Sequence, residues 1–102
     1  MHLNVTSEGD RARFQIGGNV DEKGAEDLKQ SFRGLNVSSL KEAVFDFREV
    51  HYIGSAGIGK LLLFYKDMAV NGGKIRIENP SDSIYELLSV LKLDSLFSIS
   101  KA

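Results

Sequence analysis

The run Ala43-Val44-Phe45-Asp46-Phe47 constrains the fold more than any other stretch of this chain. It is mostly apolar and rich in β-formers, the pattern of an interior strand covered on both faces, so it belongs at the centre of a sheet. After a loop from Arg48 to Gly54, the spacing of Ile58, Leu61, Leu62, Tyr65, Met68 and Ala69 predicts a helix over about Ser55 to Val70, stopped by Asn71-Gly72-Gly73. A buried strand feeding a long helix is the repeating unit of a parallel α/β sheet.

The flanking sequence extends that unit in both directions. Leu3 and Val5, then Phe14 and Ile16, alternate with polar neighbours on either side of Glu8-Gly9-Asp10, which predicts a hairpin whose second strand ends at Gly17-Gly18. Asp21 is placed to cap a helix with Ala25, Leu28 and Phe32 on one face, closed by Gly34 and weakened by Gly24. Lys74-Ile75-Arg76-Ile77-Glu78 alternates as a strand, and Asn79-Pro80 reads as a cap followed by a proline at the first helical position. Ile84, Leu87, Leu88 and Leu91 mark the buried face of that third helix, and Leu96 to Ile99 a last short strand. The expectation is one α/β domain: a mixed, mostly parallel sheet begun by a hairpin, with packed helices in the order ββαβαβαβ.

Composition excludes several functions. Thirteen basic against fourteen acidic residues, a formal net charge of −1, offer no basic excess for nucleic acid. The absence of cysteine removes thiol chemistry and cysteine zinc sites, and two histidines, His2 and His51, are too few for a histidine-rich metal site. No basic leader precedes an apolar run, and no apolar stretch approaches the ~18 residues that span a bilayer, so the expected location is cytoplasmic, without membrane insertion. At 102 residues with 42% hydrophobic content, the chain can bury a core without disulfides or metal.

One segment could carry chemistry: Tyr52-Ile53-Gly54-Ser55-Ala56-Gly57-Ile58-Gly59-Lys60-Leu61, small residues around one hydroxyl where a loop meets a helix. As a phosphate loop, Gly54 and Gly59-Lys60 have the right spacing, but Leu61 stands where a hydroxyl must reach Mg²⁺. As a nucleophile elbow, Ile53 stands where glycine is needed, and only His2 and His51 could act as base. As a helix start, Ser55 reads as an N-cap at the positive end of the macrodipole, and Ala56, Gly57 and Gly59 leave the backbone open to a protein partner. A phosphate there would add about −1.5 to −2 charges beside free amide donors.

These residues resemble the STAS domain of bacterial anti-sigma-factor antagonists. The stretch Val44 to Leu62 is similar to that family's hydrophobic strand leading into Asp-Ser-Ser/Thr-Gly-Leu/Ile-Gly. Gly18-Asn19-Val20-Asp21 with Ala25 and Leu28 resembles its Gly-x-x-Asp lead-in to the first helix. Asn71-Gly72-Gly73-Lys74-Ile75 and Leu93-Asp94-Ser95-Leu96-Phe97 resemble two later motifs, so the likeness covers nearly the whole chain. The resemblance implies a non-enzymatic partner-switching protein without a cofactor. Unphosphorylated, it would bind an anti-sigma factor or a histidine-kinase-like Ser/Thr switch kinase; phosphorylation of Ser55 would release it, and a metal-dependent Ser/Thr phosphatase would reset it. Asp21, Gly54, Ala56, Gly57, Ile58 and Lys60 would form the contact surface. Two positions depart from the family pattern: Gly54 replaces the usual Asp, and Ala56 replaces the second Ser/Thr. An alternative is a constitutive STAS subunit of a larger assembly, such as a lipid-transporting ABC system, with Ser55 only a helix cap.

Overall fold

The computed structural model describes residues 1–101. Strands β1 (His2–Glu8) and β2 (Arg11–Val20) form the hairpin around Gly9-Asp10, where Gly9 takes a φ of 62° that costs glycine nothing. Helix α1 (Glu22–Arg33), β3 (Glu42–Ile53), α2 (Ser55–Val70), β4 (Lys74–Glu78), α3 (Asp82–Val90) and β5 (Ser98–Ser100) follow, in the expected order ββαβαβαβ. The five strands lie side by side in chain order, the first pair antiparallel and the rest parallel. Three successive right-handed crossovers in one direction place all three helices on one face of the sheet.

The register explains the core. Phe14, Phe45, Ile77 and Ile99 are cross-strand neighbours on the helical face. Phe14 and Phe45 stack at 4.4 Å, and Phe32 of α1 and Phe64 of α2 stack above them at 4.1 Å, the two pairs meeting edge to face. This cluster ties both helices to the two central strands.

Among the described residues, the opposite face carries no helix. β3 is central as expected, but its outer side is covered by charged neighbours rather than by a second layer. Arg13 reaches Asp46 at 3.4 Å and Glu78 at 3.1 Å, bridging β2, β3 and β4. Val44, between Arg13 and Arg76 in register, is only 4% exposed, consistent with cover from long basic side chains on a polar face.

Several local expectations change. β2 does not end at Gly17-Gly18 but runs through both glycines to Val20, and β3 does not give way to a loop at Arg48 but pairs with β2 as far as Ile53. The register slips by one residue twice along this extension, so the buried positions of β3 fall at Phe47, Val50 and Ile53 instead of alternating. α3 begins at Asp82, not Pro80, and Ser81 caps it by accepting from the Ile84 N–H. Asn79 cannot cap: it turns the chain at a φ of 59°, and its side chain donates to Asp46. The last strand starts two residues later than predicted, because the Leu96 and Phe97 N–H groups both donate to the Leu93 carbonyl, closing off the one-turn 3-10 helix Leu93–Ser95. Phe64 replaces Ala69 on the buried side of α2, and Leu91 lies exposed beyond α3. No helix of the described residues is long and apolar enough to cross a membrane.

Candidate functional site

The ends of β2 and β3 bring two helix N-termini together. Val20 and Ile53 are register partners, and the Gly54 N–H donates to the Val20 carbonyl at 3.0 Å, so the chain leaves both strands at the same edge. From there α1 and α2 start side by side. This is the carboxyl edge of the parallel strands, where open α/β sheets place their functional groups.

The two helix starts differ in chemistry. Asp21 caps α1 as the sequence predicts: its carboxylate accepts from the Gly24 N–H at 2.9 Å, and that bond holds its carboxyl below the usual carboxylate range. α2 has no such device. Its N-cap is Gly54, whose carbonyl accepts the first helical bond from the Ile58 N–H at 3.1 Å; Ser55 is the first helical residue, not the cap. No side chain caps α2, and its first turn holds no acid to offset the macrodipole. Ser55 is exposed, and among the described residues its hydroxyl has no hydrogen-bond partner, unlike Ser31, Ser39, Ser81 and Ser95, which bond to backbone. A free hydroxyl therefore stands among the unsatisfied amide donors of a helix start.

The other predicted contact residues divide by burial. Asp21 is exposed, and Gly54, Ala56 and Lys60 are half-buried around Ser55. Gly57 and Ile58 face inward and seat the helix on the sheet. A Cβ on Gly57 would stand 2.7 Å from Val20 Cγ1 and 3.1 Å from Ile53 Cγ1, inside the packing of two buried side chains. Gly59, one turn after Ser55, has nothing within 4 Å of such a Cβ.

This contrast predicts opposite signs for one substitution. Gly57→Ala is expected to destabilise by about 1–3 kcal/mol through overpacking, despite alanine's better helix propensity. Gly59→Ala is expected to stabilise by up to about 1 kcal/mol, because only propensity changes. Urea unfolding of both variants measures the pair.

Tyr52 is 53% exposed, and its phenol lies beside Gly54. A Cβ at position 54 would lie 2.8 Å from the Tyr52 hydroxyl, so the phenol occupies room that a side chain at 54 would take. Gly54 itself has a φ of −95°, which any residue adopts. Neither the backbone nor a rigid neighbour therefore excludes a side chain at this position, since the Tyr52 hydroxyl is the far end of an exposed side chain that can move aside. His51 is exposed, on a strand and not in the loop expected from Arg48 to Gly54.

The chain belongs to the STAS domain family, which it matches over residues 3–102. A STAS-domain containing protein of Pseudomonas aeruginosa (strain UCBPP-PA14) is 24% identical over 95 residues, 93% of each chain. Among solved structures, an anti-sigma factor antagonist from Mycobacterium paratuberculosis superposes with a TM-score of 0.84 at 19% identity, covering 99% of this chain and 86% of that one. The Bacillus cell fate determinant SpoIIAA, in its phosphorylated form, superposes at 0.80 with 13% identity, covering 99% and 91%. A sulfate transporter family protein from Wolinella succinogenes superposes at 0.76 with 19% identity, covering 89% and 76%. At these identities the solved structures establish a common fold.

Proposed function

We propose that this protein is a non-enzymatic regulator of the anti-sigma-factor-antagonist type. It binds an anti-sigma factor or switch kinase in its unmodified form and is released by phosphorylation of Ser55. The observation that carries this reading is the free, exposed Ser55 hydroxyl at the first position of an uncapped sixteen-residue helix. Attack of Ser55 Oγ on the γ-phosphorus of ATP forms the phosphoserine and releases ADP and the hydroxyl proton. The partner kinase supplies nucleotide and Mg²⁺, and a metal-dependent Ser/Thr phosphatase returns the serine by hydrolysis. The phosphate adds about −1.5 to −2 charges where amide donors and an uncompensated helix dipole receive it. The fold keeps its shape while the contact surface changes sign.

The alternative, a constitutive subunit with Ser55 as a structural cap, has the transporter-family fold likeness behind it. It assigns Ser55 a capping task, whereas Ser55 stands one residue past the N-cap position and makes no capping hydrogen bond. The test is intact-mass measurement after incubation with the co-purifying kinase and ATP. One added phosphate, absent from Ser55→Ala, is the expected result; no phosphate, or one that persists in Ser55→Ala, overturns the assignment.

A further inference from the structure

A groove of about 400 Å³ runs between the second half of α1 and the middle of α2, away from the Ser55 hydroxyl. Its floor is apolar: Phe32 and Phe64, with Leu35 and Val37 closing one end. Leu63 stands on its lip, 58% exposed, on an α2 whose outer side continues to Val70, itself 80% exposed. A surface helix ordinarily turns charged residues outward, but α2 carries only Lys60, Lys66 and Asp67 over its whole length. Its outer side is apolar where a surface helix is ordinarily charged.

The rim identifies the occupant. Lys29, Arg33 and Lys60 border the groove against one acid, Asp67, a local excess of positive charge on a chain of net charge −1. Among the described residues Arg33 and Lys60 form no ion pair, and Lys29 only approaches Glu26 at 4.0 Å. From these observations we infer that the α1–α2 groove docks an acidic amphipathic helix of a partner protein, apolar side chains over Phe32, Phe64 and Leu63, carboxylates on the three cations. A second copy of this chain is a poor fit, because its acid-bearing helices α1 and α3 turn Ala25 and Leu28, and Ile84 and Leu88, into the core and leave only Val90 as an exposed apolar residue, too little for an i, i+3, i+4, i+7 stripe. A small anionic amphiphile would leave the lip at Leu63 open, whereas pockets for small ligands enclose most of the ligand surface. The inference does not rest on Ser55. Lys60 lies five residues along α2, about 7.5 Å by helical rise, so one partner can reach both places.

The experiment is selection from a displayed library of sixteen-residue helical peptides against the full chain. The same selection is run against the variant carrying Lys29→Glu, Arg33→Glu and Lys60→Glu, and the selected peptides are titrated into ¹⁵N-labelled protein. The expected result is enrichment of peptides with Glu or Asp beside an i, i+3, i+4, i+7 apolar stripe, and a switch to Lys- and Arg-rich peptides on the charge-reversed variant. Amide shifts at residues 29–37 and 60–67, with at least tenfold weaker binding to Leu63→Asp, complete it. Leu63 is exposed, so that variant should fold, and an unchanged circular dichroism spectrum checks this for both variants. No acidic enrichment, the same peptides selected by both proteins, or shifts elsewhere overturn the inference. So do groove shifts produced by dodecanoate or by raising the protein concentration but not by the peptides, which assign the groove to a lipid-like ligand or to self-association.

Discussion

Phe45→Ala is expected to remove about 3–5 kcal/mol of stability, a large part of the roughly 5–15 kcal/mol typical of a domain of this kind. Phe45 is fully buried on the central strand, stacks on Phe14 at 4.4 Å, and meets Phe32 and Phe64 edge to face at 6.1 Å each. Truncation therefore opens a cavity at the one point where α1, α2, β2 and β3 converge. Collapse into it is resisted on every side, since relaxing any one wall would unstack a second aromatic pair. At about 4–8 °C for each kcal/mol, the melting temperature falls far enough for the variant to be partly unfolded under ordinary growth conditions. Urea unfolding is the measurement, with Val70→Ala, at an 80% exposed position, as a control expected within about 0.5 kcal/mol of the parent. A Phe45→Ala loss no larger than that of Val70→Ala would mean that the aromatic cluster does not carry the fold.

Ser55→Asp is expected to lower affinity for the partner of the unmodified protein by at least about tenfold while raising the melting temperature by up to a few degrees. The two effects separate because Ser55 is exposed and makes no hydrogen bond within the described chain, so its replacement removes no native contact. An acid in the first turn of α2 is favourable to the helix, by about 0.3–1 kcal/mol, since nothing else offsets the dipole there. The same charge, enclosed in a surface matched to a neutral hydroxyl, is left desolvated and unpaired. Titration calorimetry with the co-purifying partner reads the affinity, and Ser55→Ala, which adds no charge, is expected to stay close to the parent. Equal affinities for the Asp and Ala variants would remove the charge mechanism.

Most of the architecture was legible because it rests on periodicity. The order of elements, the central place of Ala43 to Phe47, the hairpin at Gly9 and the Asp21 cap each follow from a local pattern that the structure keeps. The misreadings cluster where non-local pairing overrides such a pattern. Gly17-Gly18 is a local stop signal, yet β2 continues through it because β3 supplies a pairing edge, and β3 continues past Arg48 for the same reason. The two register slips then move burial to every third residue, Phe47, Val50 and Ile53, so strand periodicity disappears from the sequence where the strand does not. At the start of α2, the pattern places the helix boundary within one residue but reads Ser55 as the cap, a position that Gly54 takes. Whether a serine at a helix start is the cap or the first helical residue depends on which carbonyl accepts the first bond, a difference of one residue that pattern cannot resolve.

By itself the sequence determined a five-stranded α/β domain of the STAS family, and it placed a single hydroxyl at the start of the second helix. The tertiary structure decided what that hydroxyl is free to do. Pairing of Gly54 with Val20 sets the helix to begin at Ser55, and the capping geometry falls to Gly54, leaving Ser55 unbonded. The structure alone also distinguished Gly57 from Gly59, identical residues in one motif: one lies against Val20 and Ile53, the other faces open space. The physical reason is common to both. Helix and strand follow from the spacing of residues near one another in the chain, whereas exposure and free hydrogen-bonding capacity depend on which distant segments come to lie against them.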